Sequence, residues 1–175
     1  AVLLIGGDHV TFGLAHAQLV LRRRPDVTHV AWDLMTMPWV QRRVSERLGF
    51  AAVSPGEGPP SVRLAEAILA RGRPLLVDSA QARILAALPS YPFGPAIRVL
   101  PRGTVPPAPA EVLALNRALL ERLDLDYPPP DRGDGWAAVV HAGYALPWRS
   151  LADALARAGR PNDGDEALRI AARLA

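Results

Sequence analysis

The sequence predicts an α/β fold: an open, mostly parallel sheet of about four strands with flanking helices, followed by an all-helical C-terminal hairpin region. Short apolar runs bounded by glycine, proline or acidic residues alternate with helical patterns over residues 1–103. Strands buried on both faces of a parallel sheet have this continuous apolar character. After a proline-rich connector at residues 104–110, only helical patterns follow. We therefore expect a Rossmann-like α/β domain over residues 1–103 and a helical region over residues 111–175 that packs on it.

Composition narrows the class of protein. Half of the 175 residues are hydrophobic and 21% are charged, which is typical of a globular chain. The absence of cysteine excludes disulfides, thiolate metal sites and a cysteine nucleophile. All 20 basic residues are arginines, the net charge is only +3, and the arginines are interleaved with acids, so we expect no nucleic-acid partner. The chain has neither a membrane-spanning run nor a signal segment and begins abruptly on a strand, which suggests a fragment of a longer protein.

The first forty residues predict a β-α-β unit. An apolar strand at residues 2–5 and a turn at residues 6–9 precede a helix from about residue 11 to residue 24, and a second strand covers residues 27–32. Thr11 is the expected N-cap. Phe12, Ala15 and Leu19 are the expected apolar face, and the arginines near the helix end suit its dipole.

The remaining α/β elements follow from start and stop signals. Pro38 opens a helix that Gly49 closes, with Trp39 on its apolar face, and Ser61 is the expected cap of a third helix. Further patterns predict a loop at residues 54–60, strands at residues 73–79 and 97–103, and a short helix at residues 80–89.

The C-terminal region predicts helices at residues 111–123 and 136–148, separated by a rigid loop at residues 126–135, and then a helix pair at residues 150–158 and 165–174. The stretch around Gly159-Arg160-Pro161 resembles the hinge of a tetratricopeptide repeat, in which small residues let two antiparallel helices pack closely. About three extra residues, 162–164, stand in the expected turn, and a single unit is visible where a stable array needs about three.

Three predicted strands end in carboxylates, namely Asp8, Asp33 and Asp78. In an open α/β sheet the carboxyl ends of the strands form the ligand crevice, so these acids could bind a metal or act as acid and base. The alternative is that each caps a helix or closes a turn, roles for which aspartate is favoured.

The turn containing Gly7, Asp8 and His9 before Thr11 could hold an anion at a helix N-terminus. It has neither the glycine spacing of a dinucleotide site nor the lysine of a phosphate loop, and Asp8 would repel phosphate. A structural glycine turn is the alternative. The histidines do not show metal-ligand spacing, and we predict no metal, no cofactor and no catalytic residue in this chain.

A more specific signal is a series of residues that runs without gaps over about residues 6–39: Gly7-Asp8, Thr11-Phe12, Leu14, Gln18, Arg24-Pro25-Asp26-Val27, Leu34 and Pro38-Trp39. This series resembles the soluble segment of a large family of multi-spanning bacterial membrane proteins of unknown function. That family is related to eukaryotic protein O-mannosyltransferases, membrane-embedded glycosyltransferases with a lipid-linked sugar donor. The sequence departs from the family pattern at His9, Val10, Gly13 and Val40.

The resemblance implies that this chain is an extracytoplasmic (periplasmic) region whose partner is the membrane-embedded part of the parent chain, where the catalytic acid lies. A protein or glycan acceptor is a further implied partner. On physical grounds we expect the matching residues to be structural: Gln18 can bond a neighbouring loop, and Arg24 and Asp26 flank a proline that leads into the second strand.

Three functions compete. The first is a non-catalytic accessory or acceptor-positioning domain of a membrane glycosyltransferase-like protein. The second is a small α/β enzyme that uses the three strand-end carboxylates. The third is a protein-interaction module whose C-terminal helices bind a partner along an apolar groove.

Overall fold

The computed structural model describes residues 1–53, 55–122 and 135–175, and its secondary structure alternates as the sequence predicts. A 3₁₀ helix, Trp32–Thr36, follows the second strand. In chain order the elements are β1 Val2–Ile5, α1 Asp8–Leu19, β2 Thr28–Ala31, α2 Pro38–Leu48, α3 Pro60–Leu69, β3 Leu75–Val77, α4 Ala82–Ala87, β4 Ser90–Phe93, β5 Ala96–Val99, α5 Pro109–Leu120, α6 Trp136–Arg157 and α7 Pro161–Leu174.

The strands form an open, mostly parallel sheet in the order β2-β1-β3-β5-β4, which confirms the predicted fold class. β1 is an interior strand and runs parallel to both neighbours, with Leu4 opposite Val30 on one side and Val77 on the other. These three side chains are fully buried, as an apolar strand covered on both faces requires. The sheet has one strand more than predicted: β4 contains Pro92, a residue that weakens a strand prediction.

The order β2-β1-β3 creates a crevice by topology. The connection from β1 to β2 runs to one side of β1, and the connection from β2 to β3 passes over β1 to the other side. Because such crossovers are right-handed, α1 lies on one face of the sheet and the α2–α3 segment on the other. The loops after β1 and β3 therefore lead to opposite faces of the sheet. The gap between two such loops is called the topological switch point, and open α/β sheets bind ligands there.

The chain divides into two compact units. The first contains residues 1–89 and 99–104, and the second contains residues 90–98 and 105–175. The hairpin of β4 and β5 thus groups largely with the C-terminal helices, whereas the sequence places a single boundary at the proline-rich connector.

Helix α1 corrects three expectations. It begins at Asp8 rather than Thr11 and ends at Leu19, with Gly7 as its N-cap residue, so Thr11 lies inside the first turn and caps nothing. Its predicted apolar face is wrong at two of three positions: Phe12 and Leu19 are exposed, whereas Ala15 is half-buried, as are Leu14 and Gln18. Side-chain hydrogen bonds of Gln18, described below, set this rotation of the helix.

The other helices of the α/β region begin and end close to the residues that the sequence predicts. α2 begins at Pro38 and ends before Gly49, which adopts φ 79°, as predicted. Trp39, however, is exposed rather than part of the apolar face. Ser61 does not cap α3: Pro59 is the N-cap residue, and Ser61 is buried in the first turn. The predicted strand at residues 97–103 ends at Val99.

The C-terminal helices form a hairpin, with two corrections. α6 is one continuous helix, with Pro147 inside it, where the sequence predicts two helices at residues 136–148 and 150–158. α7 begins at Pro161, so residues 162–164 are helical rather than extra turn residues. Buried α6 and α7 side chains form a core with α5, including Trp148, Leu155 and Ala167. The predicted loop at residues 126–135 falls almost wholly outside the described residues.

Within the described residues, no helix combines the length and the apolar character needed to cross a bilayer.

Candidate functional site

A crevice of about 290 Å³ lies at the carboxyl ends of the parallel strands in the first unit. The turn after β1, the start of the 3₁₀ helix after β2, the first turn of α3 and the loop after β3 form its walls. We call it the strand-end crevice; its lining residues are Gly6, Gly7, Trp32, Asp33, Ser61, Ala80, Gln81, Ala82 and Arg83. It therefore occupies the switch point that the strand order creates.

The turn after β1 is tied to both neighbouring strand ends by carboxylates. The N–H of Gly6 donates to Asp78 Oδ2 at 2.6 Å, and the N–H of Gly7 donates to Asp33 Oδ2 at 2.5 Å. Gly7 adopts φ 86°, a conformation that favours glycine. A Cβ on Gly6 would lie 3.3 Å from Asp33 Oδ2, so the absence of a side chain keeps this wall of the crevice open.

Asp78 supports the crevice from behind and does not line it. Burial raises the pKa of its carboxyl, and the Gly6 N–H, with weaker contributions from Gln81 and Ala80, opposes that rise. Its second oxygen, Oδ1, is buried and has no hydrogen-bond partner within the described residues. Asp78 is thus a partly desolvated carboxyl that holds the turn through one oxygen.

The crevice combines one flat apolar group with several polar groups. Trp32 supplies a half-buried indole next to the exposed Asp33 carboxylate. The lining also includes Gln81 and the exposed Arg83, whose guanidinium makes no ion pair with any described residue. Donors, acceptors and one charge of each sign therefore surround a small volume.

The structure brings together two of the five candidate ligand-binding residues. Asp33 lines the crevice and Asp78 lies directly behind it, whereas Asp8 is exposed at the first residue of α1 and Thr11 lies within that helix, both outside the lining. The side chain of His9 lies outside what the structure describes. In the described part of the chain, no group of three or more His, Asp or Glu side chains is arranged to hold a metal ion.

Sequence reasoning missed the polar groups contributed by Ser61, Gln81 and Arg83. A signal was present for two of them, because Gln81 and Arg83 follow Asp78 on the strand-end loop where ligand contacts are expected. Ser61 carried no such signal, since its position in the crevice depends on how α3 packs against the sheet.

Residues of the opening series form a hydrogen-bond network away from the crevice. Gln18 Nε2 donates to the carbonyl oxygens of Arg24 at 3.0 Å and Val27 at 2.7 Å. Its Oε1 lies 2.8 Å from His29 Nδ1, and because this oxygen can only accept, His29 carries its proton on Nδ1. Burial, followed by the nearby charge of Arg47, lowers the pKa of His29, which favours this neutral form.

The loop that Gln18 holds carries its own ion pair. Arg24 adopts φ 45° and donates to both carboxylate oxygens of Asp26 at 2.8 Å, across Pro25. The Arg24 hydrogen bond lowers the pKa of Asp26 to about 2. These residues fasten the end of α1 to the start of β2, which is a structural role. Two other members of the series, Phe12 and Trp39, are exposed.

Comparison of the chain with protein-family models, curated proteins and solved structures finds no match.

Proposed function

We propose that this chain is a non-catalytic accessory domain that positions an acceptor for a membrane-embedded glycosyltransferase-like protein on the extracytoplasmic face of a bacterial membrane. Support for the parent class comes from the residue series at positions 6–39. Support for an acceptor-binding role comes from the strand-end crevice. Several apolar spans in the reading frame upstream of Ala1 are expected on this proposal, and a frame without them would contradict it.

The observation that carries the binding role is the chemistry of the crevice. An indole face packs well against the C–H face of a sugar ring, and planar amide, carboxylate and guanidinium groups form paired hydrogen bonds with neighbouring hydroxyls. Trp32, Asp33, Gln81 and Arg83 bring these groups to one site. The opposite charges of Asp33 and Arg83 suit a neutral ligand, so a hydroxyl-rich acceptor fits better than a phosphate.

The two carboxylates at the crevice support binding rather than catalysis. One oxygen of each accepts a main-chain hydrogen bond, Asp33 from the Gly7 N–H and Asp78 from the Gly6 N–H. Asp78 does not line the crevice, and Asp8 lies outside it. An acid–base pair across a bound ligand would need two carboxyls that both reach the reacting atoms.

Titration with free hexoses, followed by the Trp32 indole N–H signal in NMR spectra, tests the binding role. We expect D-mannose, D-glucose or D-galactose at millimolar concentration to shift that signal, and Trp32→Ala and Gln81→Ala to abolish the shifts elsewhere in the crevice. Trp39→Ala is the matched control, because Trp39 is an exposed tryptophan on α2 outside the crevice. Unchanged spectra with all three sugars would contradict a hexose-binding crevice.

A second candidate function is a small acid–base enzyme, and the raised pKa of Asp78 beside Asp33 favours it. The same preparation distinguishes the two. An enzyme would release p-nitrophenol from p-nitrophenyl hexosides and lose that activity on Asp78→Asn. The accessory domain would show no release and keep its sugar-induced shifts in the same variant, because asparagine can still accept the Gly6 N–H.

The third candidate, a protein-interaction module, draws on exposed apolar side chains of the C-terminal helices, Val139, Leu146 and Leu168. They are separate from the crevice and compatible with either role.

A further inference from the structure

One side of α1 and the turn at its C-terminal end carry exposed apolar side chains. Phe12 is 66% exposed, Leu19 65%, Val20 64% and Leu21 56%. Phe12 and Leu19 are seven residues apart and so lie on one side of the helix, and Val20 and Leu21 follow directly at its C-terminal end. We call these four residues the apolar ridge. So large a set of neighbouring exposed apolar side chains is typical of a binding surface.

A pair of free cations adjoins the apolar ridge. Arg22 and Arg23 are exposed and make no ion pair with any described residue, while the next arginine, Arg24, is paired with Asp26. Main-chain hydrogen bonds connect this turn to α1: the Leu21 N–H donates to His16 O at 3.2 Å, and the Arg23 N–H to Ala17 O at 2.8 Å. Leu21 and the two arginines are therefore held together at the end of the helix.

We propose that the apolar ridge, together with Arg22 and Arg23, docks on the surface of an anionic phospholipid bilayer. Exposed Leu, Val and Phe side chains partition into the boundary between head groups and acyl chains, and adjacent arginines bind the anionic head groups. The combination of both features at one tip is the chemistry of a peripheral membrane anchor, and it does not depend on the proposed acceptor role.

Other occupants fit the surface less well. A symmetric contact with a second copy would place two Arg22-Arg23 pairs against each other, and like charges at an interface are unfavourable. Nucleic acid would bind the arginines but leave the apolar ridge in water. An anionic bilayer uses both parts of the surface.

Docking by this end leaves the strand-end crevice accessible. α1 runs from the turn after β1, at the carboxyl edge of the sheet, to the opposite edge, because it connects two parallel strands. Its 12 residues place the end of the ridge, Leu19 to Leu21, about 18 Å along the helix from the crevice, while Phe12 lies nearer the start of α1. The first unit would therefore rest on a bilayer with its crevice turned away from the lipid.

Vesicle flotation with the full chain tests this proposal. We expect binding to vesicles of equal parts phosphatidylcholine and phosphatidylglycerol, and little binding to phosphatidylcholine alone. Arg22→Asn with Arg23→Gln should weaken binding by about fivefold for each arginine; asparagine suits position 22, where φ is 53°. Leu19→Ser with Leu21→Ser should weaken it by about tenfold.

The matched control is Arg42→Gln with Arg43→Gln, an adjacent pair of exposed arginines on α2, on the opposite face of the sheet. It removes the same charge and should weaken binding much less than the change at positions 22 and 23. Circular dichroism melting of each variant verifies that it is folded.

A second readout measures insertion directly. Because the sequence contains no cysteine, Leu21→Cys and Arg43→Cys each provide a unique site for an environment-sensitive fluorophore. A blue shift on anionic vesicles at position 21 but not at position 43 supports the proposal. Any of three results would overturn the proposal. The wild type could fail to bind the vesicles, both arginine variants could lose binding equally, or sedimentation could show a dimer that Leu19→Ser with Leu21→Ser dissociates.

Discussion

At the residue scale, the side-chain amide of Gln18 explains why α1 faces the sheet as it does. The amide nitrogen donates hydrogen bonds to two carbonyl oxygens of the loop before β2, and the amide oxygen accepts one from His29 within β2. The rotation of α1 that satisfies these three polar groups leaves Phe12 and Leu19 exposed.

Replacing Gln18 should therefore destabilise the first unit. We expect Gln18→Ala to lower the free energy of unfolding by about 2 kcal/mol, because three partners lose a hydrogen bond. Gln18→Glu should cost a similar amount near neutral pH, since a carboxylate cannot donate to the Arg24 and Val27 carbonyls. Urea unfolding measures both.

His16→Ala is the control for these variants, because His16 is an exposed residue of the same helix and its imidazole makes no hydrogen bond with a described residue. A Gln18→Glu protein as stable as the wild type would show that the two donated bonds contribute nothing.

At the scale of elements, the α6–α7 hairpin depends on one small residue. Gly164 faces the α6 backbone: a Cβ there would lie 3.1 Å from the carbonyl oxygen of Ala152. Other buried positions of the two helices are small as well, namely Ala152 on α6 and Ala167 and Ala171 on α7. Close approach of the two backbones is thus built into the sequence, as the tetratricopeptide-like pattern suggested for residues nearby.

Two glycine-to-alanine substitutions in this hairpin should have opposite effects. Gly143→Ala in α6 should stabilise the second unit by about 0.5–1 kcal/mol, because alanine is the better helix former and nothing lies within 4 Å of the added Cβ. Gly164→Ala should destabilise it by about 1 kcal/mol, since the new methyl group forces α7 away from Ala152. Thermal unfolding of both variants would refute this account of the packing if the two shifts had the same sign.

At the scale of the whole molecule, the two units carry carboxyls whose pKa values shift in opposite directions. In the first unit, burial raises the pKa of Asp78. In the second, the hydrogen bonds from Arg117, at 2.7 and 2.5 Å, lower the pKa of Glu166. A group with a raised native pKa loses its contribution to the free energy of unfolding as pH rises through that pKa. A group with a lowered native pKa loses that contribution as pH falls through its pKa.

The pH dependence of two variants should accordingly have opposite slopes. Relative to the wild type, Asp78→Asn should gain stability as pH rises from about 4 to above the raised pKa, because the amide is never ionised. Glu166→Gln should lose at most about 1 kcal/mol at neutral pH, since the ion pair is partly exposed, and match the wild type once Glu166 is protonated in acid. Hydrogen–deuterium exchange in peptides from β1–β3 and from α5–α7, compared with the wild type at each pH, reports each unit separately. A Glu166→Gln difference that grew in acid would refute the assignment.

Several features of the fold could be predicted because they are local. Buried apolar runs such as residues 2–5 and 75–77 indicate parallel strands, and Pro38 with Gly49 delimits α2 without reference to the rest of the chain. The hairpin strand β4 could not be predicted, because Pro92 weakens a strand pattern and its pairing partner must be known. The site was predicted in part: Asp33 and Asp78 meet at the turn after β1, but Asp8 belongs to the exposed start of α1.

The sequence by itself determined the α/β class, the burial of its most apolar strands, and the presence of polar groups at strand ends, because periodicity and strand-end composition are properties of neighbouring residues. Only the tertiary structure decided the strand order, the rotation of α1, and which side chains line the crevice. Those depend on contacts between distant residues, as when Gln18 reaches His29 and Gly7 reaches Asp33. The exposed ridge on α1 is the consequence: the same hydrogen bonds that orient Gln18 inward leave Phe12 and Leu19 facing outward.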